Sequence, residues 1–184
     1  MLFRSKKYFK GKFFVPGHPV AGTEYSGPRS GFKELFKNRW YILTPCILCN
    51  KKKILTISKI WKKFGSKITI MNARHHDSIM AITSHIPHLI AYNIVGTAFD
   101  LGKKLKSEVI QFSASGFRDF TRIASSDPTM WRDIMLTNKK EILSMLTKFN
   151  KDLNRLKTAI QNDDGKYLFN KFKTYFRYYN YRKT

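Results

Sequence analysis

Residues 74–101 carry apolar side chains nearly all the way round a helix, from Ile79 to Phe99, and this segment restricts the fold more than any other. A surface helix needs one apolar stripe; a helix apolar on every side must be covered on every side. The segment predicts a buried central helix. Pro87 inside it predicts a kink, because proline has no amide hydrogen and its ring crowds the carbonyl four residues back. The rest of the chain reads as more helix, over residues 105–112, 117–124, 128–136, 139–160 and 165–181. Ser113, Ser115 and Gly116 interrupt the pattern. Asp127 before Pro128 is an N-cap with proline in the first turn. Met80, Leu89, Ile94, Phe99, Met130, Trp131, Leu143, Met145 and Leu146 all call for burial. That is more than one small bundle core holds, which predicts a surface shared with a second copy.

The chain before Asn72 has a different character. Residues 13–15 read as the tail of a strand that ends at Pro16-Gly17, and residues 31–38 as a short helix. Residues 40–44 read as a strand stopped by Pro45. Ile54, Ile57, Ile60, Trp61 and Phe64 recur at helical spacing, and Gly65 comes next as a stop. Residues 67–71 alternate as a third strand. Strands alternating with helices predict an α/β layer on a largely parallel sheet. The chain thus divides into an α/β part, residues 1–72, and an all-α part, residues 73–184.

Charge narrows the partners. The net charge is +23 over 184 residues, which suggests nucleic-acid binding. Lysines outnumber arginines and are scattered, however, and phosphate and base readers favour the arginine fork. An RNA-binding protein is therefore a minor alternative, and a positive field that gathers small anionic substrates is another reading. No window approaches a membrane span of about 18 apolar residues. The basic start has no apolar run beyond residues 13–15, too short for a secretory signal, so the expected compartment is the cytoplasm. Cys46 and Cys49 form one C-x-x-C after the apolar run 40–43. That is the local setting of a redox pair, and only half of a zinc site; a plain loop with neither chemistry is the reading a lone short motif favours.

His18 comes after Gly17 near a strand end, where open α/β sheets build their sites. It could exchange protons near neutral pH or simply cap a turn. His85 and His88 in "SHIPH" share one helix face. They lack a third ligand at suitable spacing, so no metal is expected; they read as core histidines with partners or as ligand contacts. His75 and His76 are expected at the surface. Arg118, Arg122 and Arg132 stand among Asp119, Asp127 and Asp133, either as a carboxylate clamp or as an ion-pair network. No G-x-S-x-G is present, and no two glycines stand two apart, so a dinucleotide loop G-x-G-x-x-G cannot be built from these residues.

Three stretches, "FVPGHPVAGTEYSG", "SHIPHLIAYNIV" and "GFRDFTRIASSDPTMWRDI", together resemble the prephenate dehydrogenase family. "ILTP" and "HHDSIMAITSH" fall between them in the expected order, and the resemblance runs from about residue 11 to about residue 160. It implies a partial Rossmann-like nucleotide domain lacking its first strands, then a helical dimerisation domain. It implies NAD or NADP as cofactor, prephenate or arogenate as substrate, a homodimer, and oxidative decarboxylation to 4-hydroxyphenylpyruvate in tyrosine biosynthesis. By motif, His18 would be the catalytic histidine and Arg122 would bind the ring carboxylate. His85 and His88 would line the pocket, Glu24 would sit near its mouth, and Trp131 would belong to the helical core or dimer interface. The missing loop implies that the chain acts only with a separate nucleotide-binding half, or is inactive. The alternative is a non-catalytic helical dimerisation module.

Overall fold

The computed structural model describes residues 14–22, 27–47, 49–101 and 103–180. In chain order these form β1 (Gly17–Val20), β2 (Trp40–Leu43), α1 (Lys51–Lys63), β3 (Lys67–Ile70), α2 (Ala73–Met80), a π-helical turn (Ala81–His85) and α3 (Ile86–Phe99). Next come α4 (Lys103–Gln111), α5 (Ser115–Ala124), α6 (Pro128–Thr137), α7 (Lys139–Gln161) and α8 (Gly165–Asn180). Two compact units divide between Ile142 and Leu143, the second made of the remainder of α7 with α8.

The sheet has the order β1-β2-β3. β2 and β3 are parallel, with Leu43 opposite Ile70, because α1 provides the crossover that parallel neighbours require. β1 and β2 are antiparallel, with His18 opposite Ile42. The sheet is therefore mixed, not largely parallel, and the reason lies in the connection. Residues 31–38, expected as a short helix, are a run of tight turns: Leu35 N–H donates to the Phe32 carbonyl (3.1 Å), Lys37 to Glu34 (2.9 Å) and Arg39 to Phe36 (3.2 Å). Asn38 then takes a left-handed φ of 60°. The helical backbone described in this connection is one 3-10 turn, Pro28–Ser30, and the chain returns antiparallel. The first strand also starts where it was expected to end, at Gly17, since Pro16 has no N–H for the ladder. The Pro16 carbonyl still accepts from Thr44 N–H at 2.9 Å.

Helical spacing in α1 lays Ile54, Ile57 and Trp61 over the sheet, against Val15, Tyr41, Leu43 and Ile68. Trp61 stacks on Tyr41 with ring centroids 4.1 Å apart. Leu43 is fully buried, which alone stabilises by about 1.5–3 kcal/mol. Asn50 caps the helix by accepting from Lys52 N–H, and Gly65 ends the connection with φ +83°.

Pro87 stands in the first turn of α3. The helix widens just before it, where Ile86 N–H bonds the Ala81 carbonyl, five residues back. The wide turn relieves the crowding that Pro87 would impose on a regular helix. The long apolar segment is not covered on every side. Met80 and Trp131 are buried as expected, but Ile94 (38% exposed), Phe99 (64%), Met130 and Leu143 are exposed in the single chain.

Candidate functional site

The site begins with two helix starts. Asn72, in extended conformation, caps α2 by accepting from His75 N–H at 2.8 Å. The first turn then directs His76 and Asp77 inward. His76, expected at the surface, is 2% exposed, and Asp77 is also buried. The correction has a simple cause: His76 stands four residues before buried Met80 and shares its helix face. His75 remains exposed.

β1 carries His18 to meet them. Its Nδ1 lies 2.9 Å from His76 Nε2, and the two rings meet edge to face. His76 Nδ1 lies 2.8 Å from Asp77 Oδ1. An ionised carboxylate only accepts, so His76 Nδ1 holds the hydrogen. With that hydrogen on Nδ1, His76 Nε2 is the acceptor of the contact and His18 Nδ1–H the donor. The lone pair of His18 is left on Nε2.

The π-helical turn ends at His85, which it buries. Asn138, at the end of α6, donates through Nδ2 to the Asp77 carbonyl (2.8 Å) and lies 3.1 Å from His85 Nδ1. Its two amide hydrogens serve both acceptors, which puts the His85 proton on Nε2. His88 Nδ1–H donates to the Ser84 carbonyl (2.9 Å), and its ring stacks on Trp131 at 3.6 Å. Trp131 meets His85 edge-on. Thus His18, His85 and His88 belong to one connected network, joined by His76, Asp77, Asn138 and Trp131.

Burial favours the neutral imidazole at His18, His85 and His88. It lowers His18, and the neighbouring His76 adds to this while Asp77 opposes it. It lowers His85 to about 4 against the pull of Asp77. It lowers His88, with the Ser84 carbonyl opposing. Burial alone would raise Asp77, but the hydrogen bond from His76 works against it and the carboxyl ends below its usual range. A neutral His18 with a lone pair on Nε2 can accept a proton. Two buried polar atoms have no partner among the described residues, the Thr44 hydroxyl and the Trp131 indole N–H.

Gly17 permits this arrangement. A Cβ there would overlap the Tyr41 hydroxyl and sit 2.6 Å from the phenol Cζ. The glycine before His18 therefore lets Tyr41 lie across β1.

The other expected residues stand apart. Arg122 is exposed on α5 and pairs with Asp119 at 3.4 Å, not with the histidine network. Arg132 pairs with Asp133 at 2.9 Å. Glu24 lies outside the described residues. Sequence reasoning missed His76, Asp77 and Asn138; the spacing of His76 to Met80 was the available signal. Among the described residues no three His, Cys, Asp or Glu side chains are arranged to hold a metal ion. No helix among them is long and apolar enough to cross a membrane.

Residues 4–70 match the family description "Prephenate dehydrogenase, nucleotide-binding domain", and residues 72–174 match "Prephenate dehydrogenase, dimerization domain". The chain is similar to the cyclohexadienyl dehydrogenase of Zymomonas mobilis, 45% identical over 86% of this chain and 54% of that protein. It is also similar to the prephenate dehydrogenase of Bacillus subtilis, 37% identical over 88% of this chain and 43% of that protein. The chain spans about half the length of these relatives. Among solved structures it is similar to a prephenate dehydrogenase from Aquifex aeolicus in complex with hydroxyphenyl propionate and NAD+. There the TM-score is 0.85 and the identity 35%, over 94% of this chain and 59% of that one.

Proposed function

Because this chain belongs to the prephenate dehydrogenase family, we propose that it carries the substrate-binding and proton-accepting part of the oxidative decarboxylation of prephenate, or of its amino analogue arogenate. In this reading residues 1–72 belong to the dinucleotide-binding domain and residues 73–184 form the substrate-binding and dimerisation domain. The observation that carries it is the chain of contacts Asp77–His76–His18, which leaves a proton acceptor on His18 Nε2.

NAD or NADP, when bound, would supply the oxidising power as acceptor for a hydride from C4 of the ring. His18 Nε2 takes the C4 hydroxyl proton as the hydride leaves, so that a carbonyl forms. The ring carboxylate then departs as carbon dioxide, and the electrons of the broken bond aromatise the ring. The proton held on His18 returns to the phenol oxygen of 4-hydroxyphenylpyruvate. His76 and Asp77 hold the imidazole in the accepting tautomer. His85 and His88 line the pocket, and Glu24 sits at its mouth. Arg122 binds the ring carboxylate, exchanging an exposed contact to Asp119 worth at most about 1 kcal/mol.

The residues present fit a nicotinamide. Thr44 stands at the carboxyl end of a parallel strand, where α/β sheets hold their ligands, and its buried hydroxyl lacks a partner among the described residues. The phosphate grip falls to residues outside these 184, on a nucleotide-binding half. Exposed Ile94, Phe99 and Met130 support a homodimer through the helical part. The cytoplasm is the compartment that suits this chemistry.

Calorimetric titration of prephenate into the chain tests the binding half of this reading. Binding is expected in the parent and in His18→Asn, and at least tenfold weaker in Arg122→Gln, roughly the loss of one charge-assisted pair. Absence of prephenate binding in the folded parent would overturn it.

A further inference from the structure

The loop between β2 and α1 holds the chain's cysteines, Cys46 and Cys49, and no step of the proposed chemistry uses them. Their sulfurs lie 2.6 Å apart. The loop holds them there: Cys49 N–H donates to the Cys46 carbonyl at 3.0 Å, and Cys46 N–H donates to Cys49 Sγ at 2.9 Å. Such a turn keeps its end Cα atoms within about 7 Å, a span that disulfide geometry accepts. The two thiols differ in access. Cys49 is 9% exposed and its S–H donates to the Phe14 carbonyl, while Cys46 is half-buried. Ile47 between them is fully exposed, so the loop tip is open to a small reactant. Lys51, Lys52 and Lys53 come immediately after, exposed at the start of α1 and with no acidic residue in its first turn. Their positive field favours thiolate over thiol.

We propose that Cys46 and Cys49 are a reversible redox site that closes to a disulfide by exchange with a low-molecular-weight disulfide such as oxidised glutathione. The Cys46 thiolate attacks one glutathione sulfur, forming a mixed disulfide and releasing one glutathione thiolate. The Cys49 thiolate then attacks Cys46 Sγ and releases the second. The protein loses two protons and two electrons, and one oxidised glutathione becomes two reduced ones. Oxidised Cys49 has no hydrogen left for the Phe14 carbonyl, so the lead-in to β1 and His18 loses this tie. This redox chemistry does not depend on the proposed dehydrogenase role.

The test equilibrates the whole chain in glutathione buffers of stepped redox ratio, quenches with acid, alkylates and weighs the intact protein. Both alkylation sites are expected to disappear together, without a retained glutathione, and to return with dithiothreitol. Cys49→Ser is expected to stop at one glutathione on Cys46, because the resolving thiol is gone; circular dichroism checks that it is folded. Two thiols that stay alkylatable at every ratio would overturn the proposal. So would a parent chain that retains glutathione or forms disulfide-linked dimers.

Discussion

Nε2 of His76 lies 2.9 Å from Nδ1 of His18, and this contact decides which nitrogen of His18 can take a proton. With His76→Phe, His18 is free to place its hydrogen on either nitrogen, and buried Asp77 loses the hydrogen bond from His76. Turnover is expected to fall at least about tenfold, mainly in kcat, a modest part of what general-base catalysis supplies. Nitrogen NMR of labelled histidine provides a readout that a merely structural role would not move: the parent shows the Nδ1–H tautomer at His18 and the variant a mixture. Stability is expected to fall by about 1–3 kcal/mol from the hydrogen bond lost at a buried carboxylate.

Acid is expected to destabilise the fold through its buried histidines. His85 sits at about 4 against an ordinary 6.5, and His18 and His88 are shifted in the same direction. Between those values the unfolded chain binds protons that the folded chain refuses, so stability falls as pH drops from about 6.5 towards 4. Above that range this contribution is constant. Urea midpoints at stepped pH should show the slope. A flat midpoint through this window would mean that these histidines are not held neutral.

Gly17→Ala places a methyl against the Tyr41 phenol, which Trp61 backs by stacking. Overpacking of this kind costs about 1–3 kcal/mol. The loss should appear in the urea midpoint, and Tyr41→Phe in the same chain should restore part of it by removing the hydroxyl.

Trp131 supports His88 from one side and meets His85 from another. Trp131→Ala is expected to cost about 3–5 kcal/mol, as large core truncations do, and Trp131→Phe clearly less. Equal losses in thermal melts would show that the ring contact with His88 contributes little.

The helices from α1 onward were legible in the sequence because their signals are local. Asp127 caps α6 through Met130 N–H at 2.7 Å, and Gly65 closes the connection to β3. The mixed sheet was not, because strand direction depends on what lies between β1 and β2, and those turns have weak periodicity. His18, His85 and His88 stood out as polar residues in unusual surroundings, and the structure joins them. His76 did not: beside His75 at a helix start it looks solvated, and only the face it shares with Met80 indicates burial. Asn138 was illegible, since its role is to bridge Asp77 and His85 from a distant helix.

The most direct measurement is prephenate-dependent reduction of NAD by the purified chain combined with the nucleotide-binding half of a relative such as the Zymomonas mobilis enzyme. The expected result is turnover in the parent and its loss in His18→Asn, with prephenate binding retained. Turnover that survives His18→Asn, or none from a mixture that binds both prephenate and NAD, would contradict the role given to His18.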